Sequence, residues 1–527
     1  MLQATRANAQ DDVGQIRWPW LLVRVGLTVV ALLLLWQIAQ RMSALLAFPF
    51  PHDSLEGTLL YEARLLWSGE ALYQPLELYR FVAAPYPPVH PVLLGMFDAI
   101  AGAHIFWGGR LLSLLAALGV ALLIVLIVRF VAGSWLMGLL GAALLLSSGP
   151  ALLWATRIKP DMLALFWTAL GLWFAVSARP RAPDLAWGAL LRSRLTLSAI
   201  SLALAALTKQ TALVAPLAVG LALLFGDVLA LRAGAREGFV GRLPLRRPTL
   251  LFAAVYLAVL LGIWLSVDLI TRGQLTFHVL IMHRRASWSQ HLMMKFVVLL
   301  ADYWPSMLLT LGMVALSVRQ PRVLIPALYA VFVPFTLIGA GKTGANHNHL
   351  LETLLALSLG LGIVGSVATQ FAAQLWRVGG WRRWGSVALQ VVAVGLVVLQ
   401  LQRAFEPQEW YHGELEPRDT PERFLEFIRH TPGEILADDV ALLLMADKPL
   451  RYDDPTGMGP VAFSGVWDQS GLLDDIRNQR FSAIMLPLDI RPGVIDPSGH
   501  WTPEMLETVN QYYEIKFRDR INTYVPK

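Results

Sequence analysis

The chain contains no cysteine. Disulfides, thiol catalysis and cysteine-ligated zinc are therefore excluded. Charge is also scarce: Asp, Glu, Lys and Arg make up 15% of the 527 residues, against 56% for the hydrophobic types. Soluble domains carry about 25% charged residues, so this composition is that of a polytopic membrane protein. A cleavable secretory signal is lacking too. Residues 1–17 are polar, no small-residue cleavage site follows, and the apolar run that begins at Trp18 exceeds the ~7–15 residues of a signal core. It reads as an uncleaved anchor. No internal repeat and no low-complexity segment is visible. Gly341-Lys342-Thr343 imitates a nucleotide-binding loop, but Thr336 stands where that loop needs its first glycine. The net charge of +6 is carried largely by arginines between apolar runs, which fits membrane topology and not nucleic acid.

What is present is a series of apolar runs near 18–40, 106–129, 134–154, 161–178, 194–208, 211–230, 249–271, 292–316, 323–340, 350–370 and 385–402. At ~20 residues per crossing they predict a polytopic all-α bundle of about eleven spans. Residues 88–103 are apolar as well, and charge decides their place. With the N-terminus inside and 88–103 lying along the membrane, the inner loops collect Arg129, Arg192, Arg194, Arg232, Arg246, Arg247, Arg319 and Arg322, as cytoplasmic loops should. Counting 88–103 as a crossing would turn those arginines outward. Residues 1–17 are then a cytoplasmic tail and 18–403 the transmembrane domain. Residues 404–527 form a small extracytoplasmic α/β domain, with a helix over 421–430 and strands near 434–437, 483–487 and 513–517.

The same topology sends one set of polar groups outward. Asp53 and Glu56, three apart, share a side if their segment is helical. Asp53 suits a general base, with Glu56 as a further catalytic carboxylate, and Asp-x-x-Glu equally suits a helix cap. Tyr86 and His90 follow, in Tyr-Pro-Pro-Val-His-Pro. Arg157-Ile-Lys159-Pro160-Asp161 stands at a span boundary. It reads as a second carboxylate beside cations, or as interfacial snorkelling by Arg157 and Lys159. Lys209 interrupts two apolar runs, where an ammonium suits a lipid phosphate. Arg284 and Arg285 form a basic cluster able to clamp a phosphate. Lys342, His347, His349 and Glu352 crowd one helix end, as ligands for phosphate or a divalent metal. A divalent metal is the one cofactor these residues suggest.

Asp53 after the first span, EGTLLYEARLLWSGEALY, YPPVHPVLLG, Arg110 opening the next span, RIKPD and LTKQT together resemble the membrane glycosyltransferases of the GT-C fold. The nearest likeness is to the protein O-mannosyltransferase-like and aminoarabinose-transferase-like members of glycosyltransferase family 39 type, over roughly residues 18–350. The resemblance implies a hexosyl- or pentosyltransferase in a bacterial-type inner membrane, with its site on the extracytoplasmic side. It implies a polyprenyl-phosphate-linked sugar as donor and an extracytoplasmic protein, lipid or glycan as acceptor. By the same carry-over, Asp53 is the first-loop catalytic acid and Asp161 the second acidic position, with Tyr86, His90, Lys209 and the outer basic groups near the donor. This chain has Asp-Ser-Leu-Glu where several relatives have two adjacent acids. The competing reading is a transporter or flippase of a lipid-linked or anionic solute. It expects ionisable groups near the bilayer midplane and repeated halves.

Overall fold

The computed structural model describes residues 18–100, 102–178, 187–232, 245–282, 288–342, 344–378, 380–405 and 421–527. Among them, eight helices are long and apolar enough to cross a bilayer: Val23–Ala47, Trp107–Ala132, Val214–Arg232, Arg247–Ile270, Gln290–Ser317, Pro321–Gly341, His347–Trp376 and Trp384–Arg403. Three further runs expected to cross form shorter helices. The chain order is α1 (Trp18–Ala47), α2 (Ser54–Trp67), α3 (Val89–Asp98), α4 (Trp107–Ala132), α5 (Trp135–Ser147), α6 (Gly149–Ala155), α7 (Asp161–Ser177), the short α8 (Trp187–Leu191), α9 (Arg194–Thr208), α10 (Val214–Arg232) and α11 (Arg247–Ile270). The run at 134–154 is split because Ser148 leaves helical geometry and its hydroxyl caps α6 at Ala151, with Pro150 in the first turn. A proline costs nothing there, since that N–H has no partner within the helix.

Helix α4 packs against α5 and α7, and α7 against α9. Leu112, Ile124, Leu140, Leu163, Leu202 and Leu355 belong to one continuous apolar core. A methyl at Gly141 would come within 2.6 Å of the Ser358 carbonyl oxygen, so the absent side chain is what lets α5 approach the helix Leu351–Val378. Small residues commonly permit such contacts between membrane helices.

The C-terminal domain contains a four-stranded sheet made of β1 (Glu434–Ala437), β2 (Phe481–Leu486), β3 (Tyr513–Phe517) and β4 (Asn522–Pro526), in the order β1-β2-β4-β3. β1 pairs in parallel with β2, while β4 lies antiparallel between β2 and β3. The helix Glu422–His430 precedes β1, and the parallel crossover runs through helices Val440–Met445, Pro455–Phe463 and Ser470–Arg477. This domain sits on the first loop of the membrane domain. Across the seam, the Phe81 N–H donates to the Arg451 carbonyl (2.9 Å) and the Asp453 N–H to the Phe81 carbonyl (3.0 Å). Trp467 donates from its indole to the Glu77 carbonyl (2.9 Å), and Gly57 of α2 lies directly against Ala441.

Candidate active site

The first acidic pair divides its labour. Asp53 caps α2: its Oδ1 accepts the Leu55 N–H at 2.9 Å while its backbone stays extended. Three residues on, Glu56 turns the other way, into the protein. Glu56 and Arg110 both have fully buried side chains. The guanidinium forks onto the carboxylate, Nη2 to Oε2 at 2.8 Å and Nε to Oε1 at 3.0 Å. Glu56 also accepts the N–H groups of His52 (2.7 Å) and Ile158 (2.9 Å), and Arg110 donates to the carbonyls of Phe48 and Phe50. One ion pair thus fixes the end of α1, the start of α2, the start of α4 and the segment before α7. Burial works to raise the Glu56 carboxyl, but Arg110 outweighs it and holds it below the usual range.

Asp53 faces two cations from the segment so fixed. Lys159 Nζ donates to its Oδ1 at 2.9 Å, and Arg157 lies 3.7 Å from its Oδ2. Lys159 is 6% exposed and Asp53 18%, so the pair is largely withdrawn from water. Burial pushes the Asp53 carboxyl up, yet Lys159 and Arg157 together bring it down to about 2. Arg157 is held in turn: Ser113 donates its hydroxyl to the Arg157 carbonyl at 2.6 Å, and the guanidinium lies over the Trp154 ring.

A second carboxylate follows at once. Asp161 opens α7 and is 5% exposed. Its Oδ1 accepts from Lys209, which follows the end of α9, and from the Asn348 amide at 2.8 Å. These three line a cavity of about 30 Å³ with Thr211, Thr336, His349 and Glu352, room for a water or two. Gln210 donates to the Pro85 carbonyl at 3.2 Å, which ties the α9–α10 connection to the Tyr86–His90 stretch. His90 is buried, and burial pushes its imidazole down to about 4. Burial, then the negative charges of Asp161, Glu62 and Asp53, raise the Tyr86 phenol. Tyr86 therefore feels both carboxylate clusters.

The remaining expected site residues are spread around this core. Glu352 and His349 line the cavity, and the Tyr329 hydroxyl donates to Glu352 at 3.3 Å. His347 turns toward the Asn346 side chain and the Phe296 ring. Lys342 is exposed beside Trp288, whose backbone bridges to it. Arg284 and Arg285 lie outside the described residues. Among the described residues no three His, Asp or Glu side chains stand close enough to hold a metal ion. Asn348 was not singled out by sequence. It sat in view between two histidines, and only its bond to a residue 187 positions away sets it apart.

This architecture, a bundle whose carboxylates and cations converge on one end beneath a small α/β domain, is the GT-C fold of membrane glycosyltransferases. The structure of ArnT from Cupriavidus metallidurans bound to undecaprenyl phosphate superposes with a TM-score of 0.58 and 12% identity, covering 94% of this chain and 97% of that one. Its apo form gives 0.55 and 13%, over 96% and 97%. The apo oligosaccharyltransferase of Archaeoglobus fulgidus gives 0.52 and 13%, over 95% of this chain and 73% of that one. At these identities the likeness is one of fold. No family model and no curated protein matches the sequence.

Proposed function

We propose that the chain is a glycosyltransferase of the inner membrane that moves a sugar from a polyprenyl-phosphate carrier to an acceptor on the extracytoplasmic side. The observation that carries the reading is the paired arrangement of Asp53 with Lys159 and Arg157, and of Asp161 with Lys209 and Asn348. The fold shared with an ArnT structure that holds undecaprenyl phosphate supports a lipid-phosphate donor. In the proposed reaction an acceptor lone pair attacks the anomeric carbon, and the bond from that carbon to the phosphate oxygen breaks. The electron pair leaves with the phosphate, and Asp53 takes the acceptor's proton. A carboxyl held at about 2 is a weak base toward a resting hydroxyl. It suits a proton released late, once the attacking oxygen has become cationic through bond formation. As a permanent anion it also favours the positive charge that builds at the sugar ring.

Lys209 is proposed to meet the departing phosphate, exchanging part of its contact with Asp161 for the new charge. His349, Asn348 and Glu352 shape that pocket, with Lys342, His347, Arg284 and Arg285 as outer phosphate contacts. Tyr86 and His90, with a neutral imidazole, form an apolar-to-polar wall for the sugar. Glu56 acts through Arg110 and the 157–159 segment, as the residue that orients Asp53's partners. Purified protein incubated with radiolabelled polyprenyl-phosphate hexoses and pentoses tests the reading. Label leaving one carrier supports it, and retention of label on every carrier, with an envelope extract as acceptor source, refutes it.

A further inference from the structure

Helix α2 also carries a carboxylate that the proposed reaction does not use. Thr58 and Glu62 are four residues apart and share a face. That face looks onto residues 450–454 of the C-terminal domain: Thr58 donates its hydroxyl to the Asp453 carbonyl at 2.7 Å, and the Tyr61 hydroxyl donates to the Leu450 carbonyl at 3.2 Å. Glu62 is 3% exposed and Asp453 fully buried. Asp453 Oδ1 accepts the Ala83 N–H at 2.9 Å. Its Oδ2 and the Oε1 of Glu62 are buried with no hydrogen-bond partner. As ionised carboxylates both are acceptors only, and burying two such oxygens without a donor is costly.

Among the described residues, Tyr86 faces Glu62, whose charge helps raise its phenol, while the other neighbouring groups are engaged elsewhere. Arg80 is the cation whose field reaches Asp453, and it is hydrogen-bonded to Glu70 at 3.3 Å. Tyr73 donates its hydroxyl to the Tyr86 carbonyl. Asp454 adds negative charge, its own Oδ1 being taken by the Thr456 hydroxyl (2.6 Å) and the Gly457 N–H (3.0 Å). Asp438, further along the seam, bonds the Trp501 indole. Among the described residues these carboxylates do not group as metal ligands.

We infer that Glu62 and Asp453 hold one proton between them across the seam, and that this proton seats α2, the helix capped by Asp53, on the C-terminal domain. A carboxylic acid donating to a carboxylate satisfies both free oxygens at once and removes one of the two buried charges. Burial raises both groups well above their ordinary range; Asp453 and Asp454 add to it for Glu62, and for Asp453 it outweighs the lowering by the Ala83 N–H and Arg80. Because the folded values lie above the unfolded ones, the seam is fully stable at low pH. That stability is lost as pH rises through the folded values.

Full-length protein in detergent, melted between about pH 6 and 9 as wild type, Glu62→Gln and Asp453→Asn, tests the inference. Each amide supplies its hydrogens permanently. The expected result is that wild type loses melting temperature relative to both variants as pH rises, the gap widening by several degrees. Parallel curves for all three proteins would overturn the shared proton. Amide exchange over 54–67 in wild type, corrected for the intrinsic effect of pH, is a second measurement that needs no variant. Protection should fall on the alkaline side, and constant protection would likewise overturn the inference. Neither readout uses donor or acceptor, so both stand apart from the fate of the transferase reading.

Discussion

Replacing Lys159 with Met should bring an acid limb into the pH dependence of transfer. Asp53 sits at about 2 instead of 3.8, which favours the anion by on the order of 2 kcal/mol. Lys159 is the largest of the forces lowering it, and Arg157, at 3.7 Å, is the next. With the ammonium gone, burial is opposed mainly by Arg157, and the carboxyl should rise from its wild-type position. In wild type, Asp53 should stay ionised through the neutral and mildly acidic range, so kcat/KM should show no acid limb from this group there. In Lys159→Met the rate should fall as pH drops toward 5 and below, while Lys159→Arg should keep the wild-type profile. Initial rates across buffers of constant ionic strength read this directly. An unchanged profile in Lys159→Met would refute the claim that Lys159 sets the state of Asp53.

Other perturbations probe different links. Arg110→Leu leaves Glu56 buried without its partner and should destabilise the protein by about 3–5 kcal/mol, seen as a large loss of melting temperature; a near-neutral effect would contradict the structural place given to this pair. On the proposed donor reading, Lys209→Ala should weaken binding of a polyprenyl phosphate by about tenfold or more, as expected for a charge-assisted hydrogen bond of roughly 1.5–3 kcal/mol. Equal affinity in a lipid titration would remove Lys209 from the phosphate site. Gly57→Val places a side chain against the Ala441 backbone, 2.5 Å from where a Cβ would stand. It should cost about 1–3 kcal/mol by overpacking and speed protease cleavage between the two domains.

Charge is rare in this chain, so each polar interruption of the apolar runs stands out in the sequence. Asp53, Lys159, Asp161 and Lys209 all lie in such interruptions, and the structure pairs them across 106 and 48 residues. What sequence could not show was direction. Asp53 and Glu56 are spaced for one side of a helix, yet Asp53 is the cap and Glu56 the first inward turn. A cap stands partly outside the helix, so spacing within the helix does not govern its side chain. The pairing of Glu56 with Arg110 needed the end of α1 and the start of α4 in register. Within the bundle, the break at Ser148-Gly149-Pro150 was written in residues that favour helix ends, but a continuous apolar run hid it. The strand Asn522–Pro526 was missed for the opposite reason. Five residues ending in proline carry little alternation, and the segment is a strand because β2 and β3 flank it.

Transfer by Asp53→Asn tests the proposed chemistry at its centre. With wild type and variant matched for folded protein by melting temperature and size-exclusion profile, a radiolabelled polyprenyl-phosphate sugar that wild type consumes is presented to both. Label should be moved by wild type and left on the carrier by Asp53→Asn, with carrier binding retained. Equal turnover by the two proteins would contradict the role given to Asp53.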